Sequence, residues 1–138
     1  AIPSAQVLSL NVSSLSSSES QKMIKSKLLA EKDIDTIITI GQLSFEYLVD
    51  AIELNKKAKN HYNIVTFDLS ILDADLLRRG KVLFVVDQQP YLQGFYAVAN
   101  SCLFSSYKIY PTNSIMTGPR LIYSSDIESI YDEIGVTR

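Results

Sequence analysis

The fold class this sequence predicts is α/β: three layers, with a parallel sheet at the centre and helices on both faces. Three observations lead to it. The run Thr36, Ile37, Ile38, Thr39, Ile40 and the later run Asn63, Ile64, Val65, Thr66, Phe67 are rich in the β-branched residues that strands covered on both faces require. Between them Phe45, Leu48, Val49 and Ile52 recur at i, i+3, i+4 and i+7, the spacing of a helix with one apolar face. Strand endings are followed at once by helix openings, the alternation that builds βαβ units.

Taken in order, residues 7–12 read as a short, mainly apolar strand. Ser16 with Glu19 three residues on forms a capping box, and Met23, Ile24 and Leu28 continue at helical spacing to about residue 31. Lys22, Lys25, Lys27 and Lys32 occupy the other side, as a solvated helix surface. The strand at 36–40 is expected to be internal and parallel, and Gly41 and Gln42 end it. Residues 56–60 with the lone His61 read as a polar surface return. The strand at 63–67 runs into Asp68; Ser70 caps the next helix with Asp73, and Gly80 suits the left-handed position that closes it. Asp68 lies outside that helix, so it is either a second turn carboxylate or a carboxylate facing a cleft.

Residues 82–86 form the next apolar strand, ended by Asp87, Gln88 and Gln89. Pro90 then suits the first position of a helix, where a missing N–H costs nothing. Polar side chains at such a handover lie where open α/β sheets bind ligands. The helix over residues 91–104 carries Leu92, Phe95, Tyr96, Ala99, Cys102 and Leu103 on one side, and Cys102 is expected to be a small buried residue. After a loop at 105–113, a last helix is predicted from the box Ser125 and Glu128 and from Ile127, Ile130, Tyr131 and Ile134.

The 138 residues suffice for one domain with a core. With 13 Lys and Arg against 15 Asp and Glu, a net charge of −2 and no basic run, no nucleic-acid footprint is visible. The single cysteine excludes an internal disulfide, and no run reaches the ~18 apolar residues of a membrane span. The opening Ala1, Ile2, Pro3, Ser4 is neither a signal peptide nor an initiator Met, so the chain reads as cut or processed. Without a phosphate loop, a His/Cys metal cluster or a nucleophile elbow, the sequence predicts no enzyme, cofactor or metal.

The words Val86, Asp87, Gln88, Gln89, Pro90, Tyr91, Leu92, Gln93, Gly94 closely resemble the hinge-crossing segment of type 1 periplasmic sugar-binding proteins, the ribose- and galactose-binding family of ABC importers. Residues 114–122, through Thr117, Gly118 and Pro119, resemble that family's late segment along the hinge. The resemblance is strongest over residues 66–121. It implies a periplasmic binding protein-like I lobe, with residues 1–88 as the C-terminal-lobe α/β domain and 89–138 as the hinge-crossing helix and terminal segments. It also implies Asp68 and Gln88 as sugar ligands and Asp87, Gln89, Pro90, Thr117 and Gly118 as hinge residues. Where ribose-type relatives carry an Asn-Asp pair this chain has Gly41, leaving Gln42 as the substitute. The helix at 91–104 would belong with an N-terminal lobe that is not in this sequence, so it is expected to pair with a second copy or fold back on its own sheet. The implied partners are a small sugar and an ABC permease, in a periplasmic or extracellular, membrane-anchored setting. The same fold serves as effector domain of lactose-repressor-type regulators and as receptor input domain, and an interaction module without a ligand is the third possibility.

Overall fold

The computed structural model describes residues 5–12, 14–53 and 62–137. The expectations for residues 1–4, 56–60 and His61 lie outside them. The elements are α1 (Ser17–Ala30), β1 (Thr36–Thr39), α2 (Gln42–Ala51), β2 (Asn63–Phe67), α3 (Ile71–Arg78), β3 (Phe84–Asp87), α4 (Pro90–Tyr107), β4 (Arg120–Ile122) and α5 (Ile127–Ile130), the last flanked by the 3-10 turns Ser124–Asp126 and Tyr131–Glu133. The sheet order is β1-β2-β3-β4. The first three strands are parallel, in register Ile38 to Val65 and Thr66 to Val85, and β4 closes the far edge antiparallel to β3.

Local signals in the sequence set the helix starts. Two of the three expected pairs form capping boxes: Ser16 with Glu19, and Ser70 with Asp73, each side chain answering the other's backbone N–H. Each box satisfies two donors that a helix start otherwise leaves orphaned. Gly80 closes α3 with φ 65°, a value that a residue without Cβ adopts freely. The last helix starts differently from expectation. The Tyr123 N–H donates to Asp126 Oδ2 at 2.8 Å, so Asp126 rather than the Ser125 and Glu128 pair fixes the turn.

Strand pairing puts Ile64, Thr66, Val85, Asp87 and Ile122 on one face and Ile38, Val65, Phe84, Val86 and Leu121 on the other. The core takes Ile64, Val85 and Ile122 from the first face and joins them to Ile24 of α1, Phe45 and Leu48 of α2, Leu76 and Leu77 of α3, and Ile127 and Ile130 of α5. The described helices of the core therefore gather on one side of the sheet. The opposite face is open at its flanks: Ile38 is 62% and Leu121 44% exposed.

Three expectations are corrected here. The strand at 36–40 is an edge strand, not an internal one, because no described element pairs beyond β1. Its β-branched composition records a preference for burial, which Ile40, 78% exposed, does not obtain. Residues 7–12 form no strand; they find no sheet edge, and only Val12 is buried, its carbonyl accepting from Ser20 Oγ at 3.4 Å. Cys102 is exposed, because α4 buries none of its residues. Nor does α4 fold back on its own sheet.

Candidate functional site

Because β1, β2 and β3 run parallel, their carboxyl ends share one edge, and that edge carries Gln42, Asp68, Asp87 and Gln88. A cavity of about 620 Å³ opens there, lined by Gln42, Asp68, Asp87 and Pro90 together with the start of α3 at residues 69–72 and Ile134 and Gly135 from the tail. This volume is in the range of small-molecule sites. Among the described residues its lining holds two carboxylates, Asp68 and Asp87, and no Lys or Arg.

Asp68 sits at the end of β2 with φ 68°, a left-handed conformation that Asp tolerates better than most residues. Its N–H donates to Val86 O at 3.0 Å, which ties the turn to β3. Its carboxylate accepts from Gln88 Nε2 at 2.8 Å. The two expected ligand residues thus form one hydrogen-bonded pair across adjacent strand ends. Gln42 lines the same cavity from the first turn of α2, but its Nε2 donates to Glu46 Oε1 at 3.1 Å.

The passage from β3 to α4 is held at several points. Asp87, 1% exposed, accepts the Gln89 N–H at 2.8 Å through Oδ1, the short-range carboxylate turn that Asp favours. Gln89 takes φ 55°, and Pro90 opens the helix as expected. The Gln88 carbonyl accepts from Gln93 Nε2 at 2.8 Å and from Thr117 Oγ1 at 3.3 Å. Thr117 and Gly118 therefore lie against residues 87–88. A Cβ on Gly118 would stand 3.0 Å from Asp87 O and 3.4 Å from Gln88 Cα, so a larger residue fits only if this backbone gives way by a few tenths of an ångström. We expect Gly118→Ala to push this segment off β3 and to cost about 1–3 kcal/mol, read from the urea midpoint.

Beneath the cavity, the Asp73 side chain is fully buried. Burial pushes its pKa up to about 6; the hydrogen bonds from the Ser70 side chain and backbone pull the other way without cancelling it. Its Oδ1 is buried without a hydrogen-bond partner among the described residues. In the sequence Ser70 reads only as a cap and Ile134 only as core. The tail's place in the cavity wall is a tertiary fact, and no local pattern announces it.

A carbohydrate transporter from Acidothermus cellulolyticus 11B, solved in complex with myo-inositol, superposes on this chain with a TM-score of 0.75 at 23% identity, covering 86% of this chain and 41% of that one. The fold is that of type 1 periplasmic binding proteins. An ABC transporter solute-binding protein from Agrobacterium vitis, bound with alpha-D-tagatopyranose, gives a TM-score of 0.76 at 18% identity over 94% of this chain and 43% of that one. A putative LacI transcriptional regulator from Bacteroides fragilis gives 0.67 at 19%, over 87% and 38%. The chain spans about two fifths of the length of these structures. No protein-family model and no curated protein sequence matches it.

Proposed function

We propose that this chain supplies one side of a sugar-binding cleft, as part of a solute-binding protein that delivers a carbohydrate to an ABC permease. The observation that carries the reading is Asp68, which lines the cavity, hydrogen-bonded to Gln88 beside it. An ionised carboxylate accepts from two adjacent hydroxyls with charge-assisted bonds, and a primary amide both donates and accepts, so the pair suits a diol. The carboxylates of Asp68 and Asp87 in the lining disfavour anionic ligands. The neighbours solved with myo-inositol and tagatopyranose carry the same fold around polyols.

In this reading Asp87, Gln89, Pro90, Thr117 and Gly118 form the crossing on which two lobes hinge, and Gln42 reaches the ligand in place of the side chain that Gly41 lacks. The lobe comprises residues 1–88 together with β4 and α5, which share their core; α4 leads to whatever faces the cleft. The setting is periplasmic or extracellular, and the permease docks on the closed form. A second reading, the effector domain of a regulator, is favoured by the Bacteroides fragilis neighbour alone.

Calorimetry with neutral cyclic polyols, pentoses and hexoses on the protein carrying this chain tests the proposal. Replacing Asp68 with Ala leaves ligand hydroxyls unpaired and is expected to weaken binding by about 2–3 kcal/mol, roughly a hundredfold. Equal affinity in wild type and variant, or no binding of any sugar, would overturn the assignment.

A further inference from the structure

The cavity at the strand ends joins two chemistries. Asp68 and Asp87 bring carboxylates to it, while Leu69, Ile71, Leu72 and Ile134 bring aliphatic side chains. Leu69, Ile71 and Leu72 come from the start of α3; Ile134 arrives from the tail, and a set of directed contacts holds it there. Arg78 of α3 lies with its guanidinium 4.0 Å from the centre of the Tyr131 ring, and its Nη2 stands 2.9 Å from Glu128 Oε1. The Tyr131 hydroxyl donates to Asp75 Oδ1 at 3.1 Å, about one turn earlier on the same helix. Tyr131 O in turn accepts the Ile134 N–H at 3.2 Å, so the residue fastened to α3 also fixes the turn that presents Ile134. Ile127 and Ile130 seat α5 in the core, and the Tyr131 contacts add a direction that apolar packing lacks. Ile134 is 7% exposed and belongs to the core and to the cavity wall at once. Gly135 beside it takes φ 81°, and an added Cβ there would meet nothing within 4 Å, so the tail does not crowd the cavity at this point.

We infer that Ile134 is a specificity-determining residue of this cavity, selecting a sugar that turns a C–H or methyl edge, not a hydroxyl, toward the tail, and that Tyr131 is the positioning residue that holds it in place. The inference rests on the sugar reading of the site and deepens it by naming the kind of sugar. Unequal penalties carry it. Asp68 accepts hydroxyl hydrogens, so the ligand edge at the strand ends is hydroxylated. The Ile134 side chain offers neither donor nor acceptor, and a hydroxyl pressed against it in a closed cleft gives up its bonds to water without replacement. A hydrogen or a methyl on the same ligand carbon loses no polar contact and gains an apolar one. One group of this kind changes affinity by about tenfold.

Calorimetry on the full protein carrying this chain, with neutral pentoses and hexoses and with their monodeoxy analogues, tests it. The wild type should bind at least one monodeoxy analogue as tightly as its parent sugar, or up to about tenfold more tightly. Ile134→Val and Ile134→Thr have nearly the same shape and differ by one methyl against one hydroxyl. Relative to Ile134→Val, Ile134→Thr should move the parent-to-deoxy affinity ratio about tenfold toward the parent, whereas a side chain that serves folding alone would leave the two ratios equal. Tyr131→Ala, at a partly exposed position, should lower affinity and level the ratio, and Tyr131→Phe, which keeps the ring against Arg78, should recover both. The Tyr131 pair decides the matter should Ile134→Thr lose its folded circular dichroism spectrum. A penalty for every deoxygenation in the wild type, equal ratios in folded Ile134→Val and Ile134→Thr, or a ratio unmoved by Tyr131→Ala would each overturn the inference and leave the sugar reading standing. No binding of any sugar by the wild type would overturn both.

Discussion

Replacing Phe45 with Ala is expected to destabilise the chain by about 3–5 kcal/mol. Phe45 is 0% exposed and is among the largest fully buried side chains, meeting residues of the sheet and the other core helices in one cluster. Truncation removes the transfer free energy of a benzyl group and leaves a cavity that α2 cannot close. The start of that helix is held by the Phe45 N–H donating to Gly41 O at 3.3 Å, and the facing side chains Leu48 and Ile64 are themselves buried. Domains of this size are stable by about 5–15 kcal/mol in all, so the variant should melt far below the wild type and sit close to unfolding at 25 °C. Thermal and urea denaturation followed by circular dichroism measure it; a loss under 1 kcal/mol would mean that the core is looser than its burial shows.

The second large effect is a pH dependence of unusual sign. A carboxyl whose folded pKa is depressed loses stability on acidification, but Asp73 is the opposite case. Its folded pKa of about 6 lies above the ordinary 3.8, so the folded chain holds the proton more tightly than the unfolded one. The contribution is fully present below pH ~4 and is lost as pH rises through about 6. The shift corresponds to about 3 kcal/mol at its limit. Urea midpoints between pH 4 and 7.5, wild type against Asp73→Asn, isolate it. The amide keeps an oxygen for the Ser70 donors and does not titrate, so the variant should flatten this part of the profile and gain on the wild type as pH rises. A constant difference between the two across this range would show that Asp73 does not titrate there.

What could be read from the sequence was whatever neighbours along the chain decide. The capping boxes at Ser16 and Ser70, the closing Gly80 and the Pro90 start need only residues within a turn of each other. The strand at 63–67 was found because its residues are buried on both sides, as their composition suggests. Residues 36–40 have the same composition and a different fate, since periodicity reports which side chains favour burial and not whether a neighbour is there to bury them. Cys102 was misplaced for the same reason. β4 escaped notice because three residues beside a Gly-Pro pair carry no strand signal of their own; its pairing with β3 is long-range. Of the cavity lining, Asp68 and Gln42 are legible through resemblance, while Gln88 stands beside it as the partner of Asp68 and the tail at Ile134 and Gly135 reaches it only through the fold.

Gly41 precedes α2 with φ 89° and ψ 153°, a region that residues with a Cβ essentially never occupy. In the proposed cleft, that conformation limits the substitutions through which ligand preference could change. Placing a polar side chain at this position is not a one-step change, since the backbone would first have to abandon a geometry that only glycine holds at low cost. Open space around the added atom does not help, because the obstacle is torsional rather than steric crowding by neighbours. Redesign of the proposed cleft would find Gln42 open to single substitutions and Gly41 closed to them.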